Sequence, residues 1–379
     1  MSQDFIRQLD PTLDLREAPS LSSRLHIDPV LFMTLLAFCS AGLFILYSAS
    51  GQDMDMVMRQ AVYMVVGFFA MFIVAQIPPR IMIRLAPIAY IGGVVLLVAV
   101  LVMGYGAKGA QRWIQLPGFR FQPSEVLKLV MPLTVAAWLC RKPLPPSYKD
   151  IAVSLILIGI PAVLIFKQPD LGTAILISAS GIFVLLLAGL RWRLIFGAVV
   201  LAVPAGFVMW NFIMKEYQKQ RVLTFLNPES DPWGSGWNII QSKIAIGSGG
   251  LYGKGWLLGT QSHLEFLPES HTDFIIAVLA EEFGLVGVLV LIAAYALILG
   301  RGIFITLHSQ NMFARLVSGS VTLTFFVYIF VNIGMVSGLL PVVGVPLPLV
   351  SRGGTSIVTL MAGFGLLMAA HTHRNFLGR

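Results

Sequence analysis

The stretch FGLVGVLVLIAAYALILG, residues 283–300, decides the fold class of this chain. It holds 18 consecutive residues without a charged side chain, and a helix of that length spans most of the ~30 Å hydrocarbon layer of a membrane. Similar apolar runs recur along the 379 residues, of which 57% are hydrophobic and 12% are charged. Ordinary soluble domains carry about 25% charged residues. The sequence therefore predicts an integral membrane protein and excludes a water-soluble fold.

The apolar runs predict an all-α polytopic fold of about ten transmembrane helices in one domain, since no internal repeat stands out. The predicted spans are residues 30–50, 59–77, 84–103, 122–140, 149–166, 171–189, 193–213, 273–299, 312–338 and 353–371. A cytoplasmic segment at 1–29 precedes this transmembrane domain of residues 30–371, and a cytoplasmic tail at 372–379 follows it. A long extracytoplasmic loop at 214–272 separates the seventh and eighth spans.

Positive charges in the short loops predict the orientation of the spans. Cytoplasmic loops are enriched in Lys and Arg, and the cations that fall on one side are Arg80, Arg84, Arg141, Lys142, Lys149, Arg191, Arg193, Arg301, Arg374 and Arg379. Both termini are then cytoplasmic, and Asp53 and Asp55 face outward. This pattern also explains the net charge of +8, because scattered cations do not form the basic patch that nucleic acid requires.

The richest polar segment is HLEFLPESHTDF, residues 263–274, which leads into an apolar helix on the outer face. Ser270 or Thr272 is expected to cap that helix. Asp273 is expected in its first turn, where the positive end of the helix favours a carboxylate. Two interpretations of Asp273 remain open. It is a cap residue only, or it is a general base that deprotonates a hydroxyl acceptor at the water–membrane boundary.

Glu281 and Glu282 follow about two turns deeper in the same predicted helix. Ionisable groups at membrane depth are costly unless they are paired or face a polar cavity. One of the two is therefore expected to face the protein interior. Its role is either packing, through hydrogen bonds to a neighbouring helix, or contact with a substrate.

A second polar cluster comprises GAQRWI (109–114) and QPSEVLK (122–128). Glu125 and Lys128 have the i,i+3 spacing of a helical ion pair, which is often purely structural. In a membrane cleft, Arg112 and Lys128 could instead hold phosphate while Trp113 stacks on a sugar ring. The cluster is therefore a candidate site for an anionic, sugar-bearing ligand.

Two further segments lie at predicted outer helix ends, KQPD (167–170) and SRGGTS (351–356). Asp170 follows a tight turn and is typical of a helix cap. In the second segment, glycines allow backbone N–H groups to approach an anion, and Arg352 adds a positive charge. That segment is either a cradle for a diphosphate or an ordinary glycine-rich turn.

Together these segments resemble the SEDS family of polytopic membrane proteins. Six motifs occur in the family's order along the chain: residues 109–114, 123–128, 167–173, 241–255, 268–282 and 346–356. The short tails and the context of residues 264–268 resemble the elongation-type members more than the division-type members. The resemblance runs from the first span to the last.

The resemblance implies a peptidoglycan glycosyltransferase of the bacterial inner membrane that acts in rod-shape elongation. Such an enzyme polymerises lipid II by inverting transfer, releases undecaprenyl diphosphate, and works with a class B penicillin-binding protein. It implies that Asp273 is essential for polymerisation, and the chemistry of the reaction makes Asp273 our hypothesis for the catalytic general base. The candidate substrate-binding residues are Arg112, Trp113, Glu125, Lys128, Asp170, Arg221, Lys243, His271, Ser351 and Arg352.

The resemblance also implies dependence on a divalent cation, Mg²⁺ or Mn²⁺. No metal-ligand spacing in the sequence requires one, and no organic cofactor is expected.

Two rival functions fit parts of the pattern. Inward-facing carboxylates and interrupted helix ends also build transport paths, which would suit a lipid II flippase. Against a flippase, the polar motifs are concentrated on the outer side, whereas an alternating-access path needs polarity on both sides. A non-catalytic scaffold for a penicillin-binding protein is the third interpretation, and it would tolerate the loss of Asp273.

Overall fold

The computed structural model describes residues 25–103, 105–107, 110–116, 119–214, 216–227, 235–260 and 270–373. Eight helices in these ranges are long and apolar enough to cross a membrane. They are α1 (Pro29–Ala49), α2 (Met54–Ala75), α3 (Pro79–Met103), α5 (Tyr148–Lys167), α7 (Trp192–Val208, continued by a π-helical turn at Met209–Ile213), α10 (Ile275–His308), α11 (Met312–Val336) and α12 (Thr355–Thr372). Two helices of 17 residues, α4 (Pro123–Leu139) and α6 (Leu171–Leu187), occupy the two remaining predicted spans. The all-α polytopic fold class is therefore confirmed.

A small antiparallel sheet, which was not predicted, joins α3 to α4. Its strands β1 (Tyr105–Ala107), β2 (Ala110–Leu116) and β3 (Phe119–Phe121) pair in the order β1-β2-β3. Aromatic and β-branched residues favour strands, and Trp113 and Ile114 lie opposite Tyr105 and Phe121 respectively. The sheet places Arg112 and Trp113 on its middle strand.

The predicted long loop contains two helices, α8 (Glu216–Leu226) and α9 (Ser235–Ser248). α9 packs on α10 and α11, and the Ser242 hydroxyl donates a hydrogen bond of 2.9 Å to the Val336 carbonyl near the end of α11. The described part of this loop therefore packs against the first part of α10 and the end of α11.

α10 departs from its predicted span of 273–299. It begins at Ile275, ends at His308 and is interrupted at Gly284, where φ is +64°. Arg301, which was predicted in a loop, lies inside the helix. The helix can continue past this cation because its guanidinium Nη2 pairs with Asp28 Oδ2 at 2.6 Å.

The buried carboxylate of Asp28 joins three chain segments on one side of the molecule. His371 Nδ1 lies 2.9 Å from its Oδ2, the oxygen that Arg301 also contacts. Burial alone would raise the pKa of Asp28, but the neighbouring His371 ring and Arg301 guanidinium outweigh it and lower the pKa below its usual value. The start of α1, the last turns of α10 and the end of α12 thus share one side, as the loop charges predict. Arg374 and Arg379 lie outside the described residues.

Two apolar cores hold the transmembrane helices together. One apolar core lies mainly among α1, α2, α10 and α12, and a second lies among α3, α4, α6 and α11. α2 and α12 approach closely at Gly365, where an added Cβ would lie 2.5 Å from the Met71 carbonyl oxygen. The polar segments that form the candidate site lie outside these two cores, at one end of the helices.

Candidate active site

The loop between α11 and α12, residues 337–354, is bonded to the turn that precedes α10. The Ser351 hydroxyl donates to the Thr272 carbonyl, and the Arg352 amide donates to the His271 carbonyl at 3.0 Å. These two bonds bring together two polar segments that are about 80 residues apart in the sequence. We call residues 337–354 the α11–α12 loop.

Asp273 lies half-buried in the turn before α10. The Asn332 side-chain amide donates to the Asp273 carbonyl at 2.9 Å and to the Val345 carbonyl at 2.8 Å, so the turn is bonded to α11 and to the α11–α12 loop. Asp273 Oδ2 lies 3.7 Å from where a Cβ on Gly344 would be, and Gly344 has a φ of +73°. The carboxylate therefore faces the α11–α12 loop.

The predicted capping of this helix is wrong. α10 begins two residues after Asp273, and its N-cap position is Phe274, whose side chain makes no capping hydrogen bond. The Ser270 hydroxyl instead donates to the Ala49 carbonyl at 3.1 Å, which ties the turn to the end of α1. Long-range hydrogen bonds, rather than a local cap, thus fix the start of α10.

The predicted ion pair between Glu125 and Lys128 is present in the first turns of α4. Lys128 Nζ lies 2.6 Å from Glu125 Oε1, and both side chains are nearly buried. The Thr359 hydroxyl donates to Glu125 Oε2 at 3.0 Å, and Lys128 Nζ lies 5.3 Å from the centre of the Tyr328 ring. The pair therefore joins α4 to α11 and α12.

A small pocket opens beside this pair, between α4, α11, α12 and the α11–α12 loop. Its polar lining residues include Lys128, Tyr328, Ser351, Ser356 and Thr359, and its apolar ones include Leu129, Pro132, Val321, Phe325 and Leu360. Asp273 does not line this cavity. Ser351 connects the two, because it lines the cavity and also bonds the turn that carries Asp273.

Arg112 and Asp170 form a second charged pair. Arg112 Nη1 lies 3.7 Å from Asp170 Oδ2, and its guanidinium also donates to the carbonyls of Gln168 and Pro169. Asp170 Oδ1 accepts from the Thr173 amide at 3.2 Å, which confirms Asp170 as the N-cap of α6. The pair fastens β2 to the turn between α5 and α6.

This second pair also lies next to the α11–α12 loop. A Cβ on Gly172 would lie 2.9 Å from the Val343 carbonyl oxygen, so the start of α6 touches the residue before Gly344. The α11–α12 loop thus contacts the Asp170 region on one side and Asp273 on the other. Residues from four predicted motifs are thereby gathered around one loop.

The other predicted substrate-binding residues are placed as follows. Lys243, on α9, packs against Gly338 at the start of the α11–α12 loop. Its Nζ lies 2.7 Å from the position that a Cβ on Gly338 would occupy. Trp113 is half-buried on β2. Arg221 lies in α8, but its side chain lies outside the described part of the structure, as do residues 263–269.

Both glutamates of α10 face the protein interior, which confirms and extends the prediction for one of them. Glu281 is 0% exposed and Glu282 is 1% exposed. Glu281 Oε1 lies 2.7 Å from Lys254 Nζ, and Glu282 accepts a hydrogen bond from the Ser48 hydroxyl. The contacts favour the packing interpretation over direct contact with substrate.

Two amide side chains that hold the site together were missed in the sequence. Asn332 bonds the Asp273 turn, and Gln60 on α2 donates to the Ser351 carbonyl at 3.1 Å. Both are buried, and a buried amide normally needs hydrogen-bond partners. A lone Asn or Gln inside a long apolar run is the signal that could have identified them.

The described residues contain no group of three or more His, Cys, Asp or Glu side chains that could hold a metal ion. A site built from protein ligands alone therefore does not fit this part of the chain. Magnesium is often bound by one or two carboxylates together with substrate phosphates. The requirement for a divalent cation stays a prediction.

Comparison with known proteins gives the class of protein. Residues 24–376 match the FtsW/RodA/SpoVE family, described as "Cell cycle protein". Peptidoglycan glycosyltransferase MrdB of Escherichia coli is 54% identical over 94% of this chain and 96% of that protein. A probable peptidoglycan glycosyltransferase FtsW of Geobacter metallireducens is 36% identical over 91% of this chain and 94% of that protein. This chain belongs to the FtsW/RodA/SpoVE family of integral membrane proteins.

Solved structures support the same placement. One matching chain comes from a peptidoglycan synthase complex, in a study of how polymerization and crosslinking are coordinated. It matches with a TM-score of 0.81 and 32% identity over 92% of this chain and 98% of that chain. The rod shape determining protein RodA of Thermus thermophilus matches with a TM-score of 0.69 and 29% identity over 92% and 97% of the two chains. The predicted resemblance to SEDS proteins of the elongation type is confirmed.

Proposed function

We infer that this chain is a peptidoglycan glycosyltransferase that polymerises lipid II into glycan strands during rod-shape elongation. The observation that carries the mechanism is the bonding of the Asp273 turn to Ser351 and Arg352, which puts a carboxylate and a cation on adjoining segments. The names of the relatives at 54% and 36% identity support the activity.

The reaction joins a sugar hydroxyl to a sugar that is carried on a diphosphate. The 4-hydroxyl oxygen of the acceptor's N-acetylglucosamine attacks the anomeric carbon of the donor, with inversion at that carbon. The bond from the anomeric carbon to the phosphate oxygen breaks, and undecaprenyl diphosphate leaves with the bonding electron pair. One base for the hydroxyl proton and one cationic group for the leaving group are sufficient for this chemistry.

Asp273 is the base in this mechanism. Its half-buried position in the turn before α10 lets its carboxylate meet a polar substrate at the edge of the membrane. The proton of the acceptor hydroxyl moves to a carboxylate oxygen as the new glycosidic bond forms. A general base of this kind typically contributes about 10²–10⁴-fold to the rate.

Arg352 is the first candidate for the cation that stabilises the diphosphate. Its side chain is exposed, and no carboxylate among the described residues pairs with it. The glycines Gly353 and Gly354 follow, directly before the positive end of α12. Arg112 and Lys128 rank behind it, because each already pairs with a carboxylate.

The remaining predicted residues surround the path of the substrates. Lys128 and Ser351 border a cavity with largely apolar walls, which suits the lipid end of a substrate near its diphosphate. Trp113, on β2, offers a flat ring for a sugar. Glu125 and Asp170 orient the two cations with which they pair.

A class B penicillin-binding protein is the proposed partner, and the cytoplasmic membrane is the proposed location. The match to a chain of a peptidoglycan synthase complex supports such a partner. The positively charged loops support a cytoplasmic position for both termini. Asp273 then lies on the periplasmic side, where lipid II is consumed.

The test is polymerisation of labelled lipid II by the purified full chain in liposomes, read as polymer on a gel, with and without a class B penicillin-binding protein. We expect Asp273→Ala and Asp273→Asn to abolish polymer, with a loss of about 10²-fold or more. Arg352→Ala should lower the rate about 10²-fold, while Arg352→Lys should retain part of it because a positive charge remains.

Asp55→Asn and Arg59→Ala are matched controls, because both residues are exposed at the start of α2. Both variants should polymerise at the wild-type rate. Polymer made by Asp273→Asn at the control rate would rule out the base. Movement of fluorescent lipid II between leaflets without any polymer would favour the flippase instead.

A further inference from the structure

The interruption of α10 at Gly284 is bridged by a segment that follows α9. In an unbroken helix, the amides of residues 285 and 286 would donate to the carbonyls of residues 281 and 282. Here the amides of Leu285 and Val286 donate to the carbonyls of Gly250 and Leu251, and the amides of Lys254 and Gly255 donate to the carbonyls of Glu281 and Glu282, all at 3.0–3.1 Å. Two hydrogen bonds within the helix are thus replaced by four to residues 249–260, which we call the bridging segment.

Glycines allow the two backbones to approach this closely. A Cβ on Gly249 would lie 2.0 Å from the Ala280 carbonyl oxygen, and one on Gly253 would lie 2.1 Å from the Glu282 carbonyl oxygen. Gly253 and Gly284 also have positive φ values of 82° and 64°, which other residues rarely adopt. The contact is therefore specific to glycine at these positions.

A layer of side chains fastens the bridging segment to α10. Glu281 Oε1 lies 2.7 Å from Lys254 Nζ, and it also accepts from the Thr260 amide at 2.8 Å and the Thr260 hydroxyl at 3.0 Å. The Glu281 side chain is fully buried. Removing one partner of a buried ion pair is costly because the other charge is left uncompensated.

The helical portion before the interruption, residues 275–283, is separate from the long membrane-crossing portion and carries the Asp273 turn at its start. Residues 275–282 are all buried, with exposures of 0–4%. The Glu281 carboxylate is eight residues along the chain from Asp273. A buried helical segment of about two turns connects these two positions.

We propose that Lys254 and Glu281 are positioning residues for glycan polymerisation. Their ion pair holds the bridging segment across the interruption in α10 and thereby fixes the Asp273 carboxylate relative to the acceptor hydroxyl. Neither residue needs to touch the substrate. The proposal rests on the proposed function, since it assigns these residues a role in that reaction.

The experiment compares Lys254→Met, Glu281→Gln and the double variant in the lipid II polymerisation assay. Each single variant should lower kcat by up to about 10²-fold, the loss that a displacement of about 1 Å can cause, and leave KM for lipid II within about twofold. The double variant should lose no more than the more damaging single variant, because either change alone already breaks the pair. Lys254→Arg should keep the rate, because it keeps the charge.

Hydrogen exchange of the same proteins separates positioning from a loss of folded protein. The single variants should show faster exchange in peptides covering residues 275–286, with Tm and exchange elsewhere close to wild type, and the double variant should show no further increase. Gly249→Ala should behave like the single variants, and Gly247→Ala is its matched control, because a Cβ there meets nothing within 4 Å. Glu216→Gln, in an exposed ion pair of α8, controls for the loss of a glutamate charge in the outer loop.

Unchanged exchange in residues 275–286 would overturn the proposal, and so would faster exchange with full kcat. Rate losses that multiply in the double variant, together with a raised KM, would mean that the two residues contact substrate separately. A wild-type protein that makes no polymer would contradict the proposed function itself. If instead the wild type is active and the single variants polymerise at the same rate, only the positioning role is contradicted.

Discussion

Glu125 and Lys128 illustrate how charged side chains are accommodated inside this membrane protein. The two side chains lie 2.6 Å apart, are only 7% and 11% exposed, and receive further contacts from Thr359 and Tyr328. The i,i+3 spacing predicts this pair directly. The spacing could not predict the pairs of Arg112 with Asp170 or of Lys254 with Glu281, because their partners are 58 and 27 positions apart and meet only after the helices pack.

Removing one member of the Glu125–Lys128 pair should destabilise the protein more than removing both. Glu125→Gln and Lys128→Met should each lower the free energy of unfolding by about 3–5 kcal/mol, since each leaves a nearly buried charge without its partner. The double variant should lose less. Thermal unfolding in detergent measures this difference.

Lys142 provides the matched control for this comparison. Its Nζ also lies 2.9 Å from a carboxylate, that of Asp150, but the Lys142 side chain is 65% exposed. Lys142→Met should therefore change stability by only about 0–1 kcal/mol. Equal losses for Lys128→Met and Lys142→Met would contradict the view that burial determines the cost.

The helices themselves were largely predictable, because the length of an apolar run translates directly into a span. The interruption of α10 was not. Residues 283–300 are uncharged throughout, and the hydrogen bonds that replace the helical ones at Gly284 come from residues 250–255, about 30 positions earlier. The start of α10 was misplaced for the same reason, since Ser351 and Arg352, rather than a local cap, hold the turn.

At the scale of helix packing, the contact of α2 with α12 should be sensitive to a single methyl group. Gly365→Ala would place a Cβ 2.5 Å from the Met71 carbonyl oxygen, which is backbone and cannot move aside alone. We expect a loss of about 1–3 kcal/mol in the free energy of unfolding, typical of overpacking.

Gly92→Ala, on α3, is the matched control, because a Cβ there meets nothing within 4 Å. It should be neutral or stabilising by up to about 1 kcal/mol, and equal Tm values for the two variants would contradict the close contact.

Considered as a whole, the molecule holds α10 and α12 together at both ends. On the proposed periplasmic side, the segments before the two helices are bonded through the Arg352 amide and the His271 carbonyl. On the other side, Arg301 of α10 and His371 of α12 both contact Asp28. The loop charges predicted that these ends share one side. They could not show that one carboxylate connects them, since Asp28 is 273 residues from Arg301.

The Asp28 contacts should make stability depend on pH in a defined direction. The contacts of Asp28 with His371 and Arg301 lower the pKa of its carboxylate in the folded protein, despite its burial. An unfolded Asp has a pKa of about 3.9, so the contribution is fully present above that value and is lost as pH falls toward the lower folded pKa. Asp28→Asn should therefore lower Tm most at neutral pH, and the difference from wild type should shrink as pH falls through about 4. Asp55→Asn, which changes an exposed carboxylate of α2, should show no such convergence. A Tm difference for Asp28→Asn that stayed constant from pH 7 to pH 3 would mean that the carboxylate charge does not hold the ends of α1, α10 and α12 together.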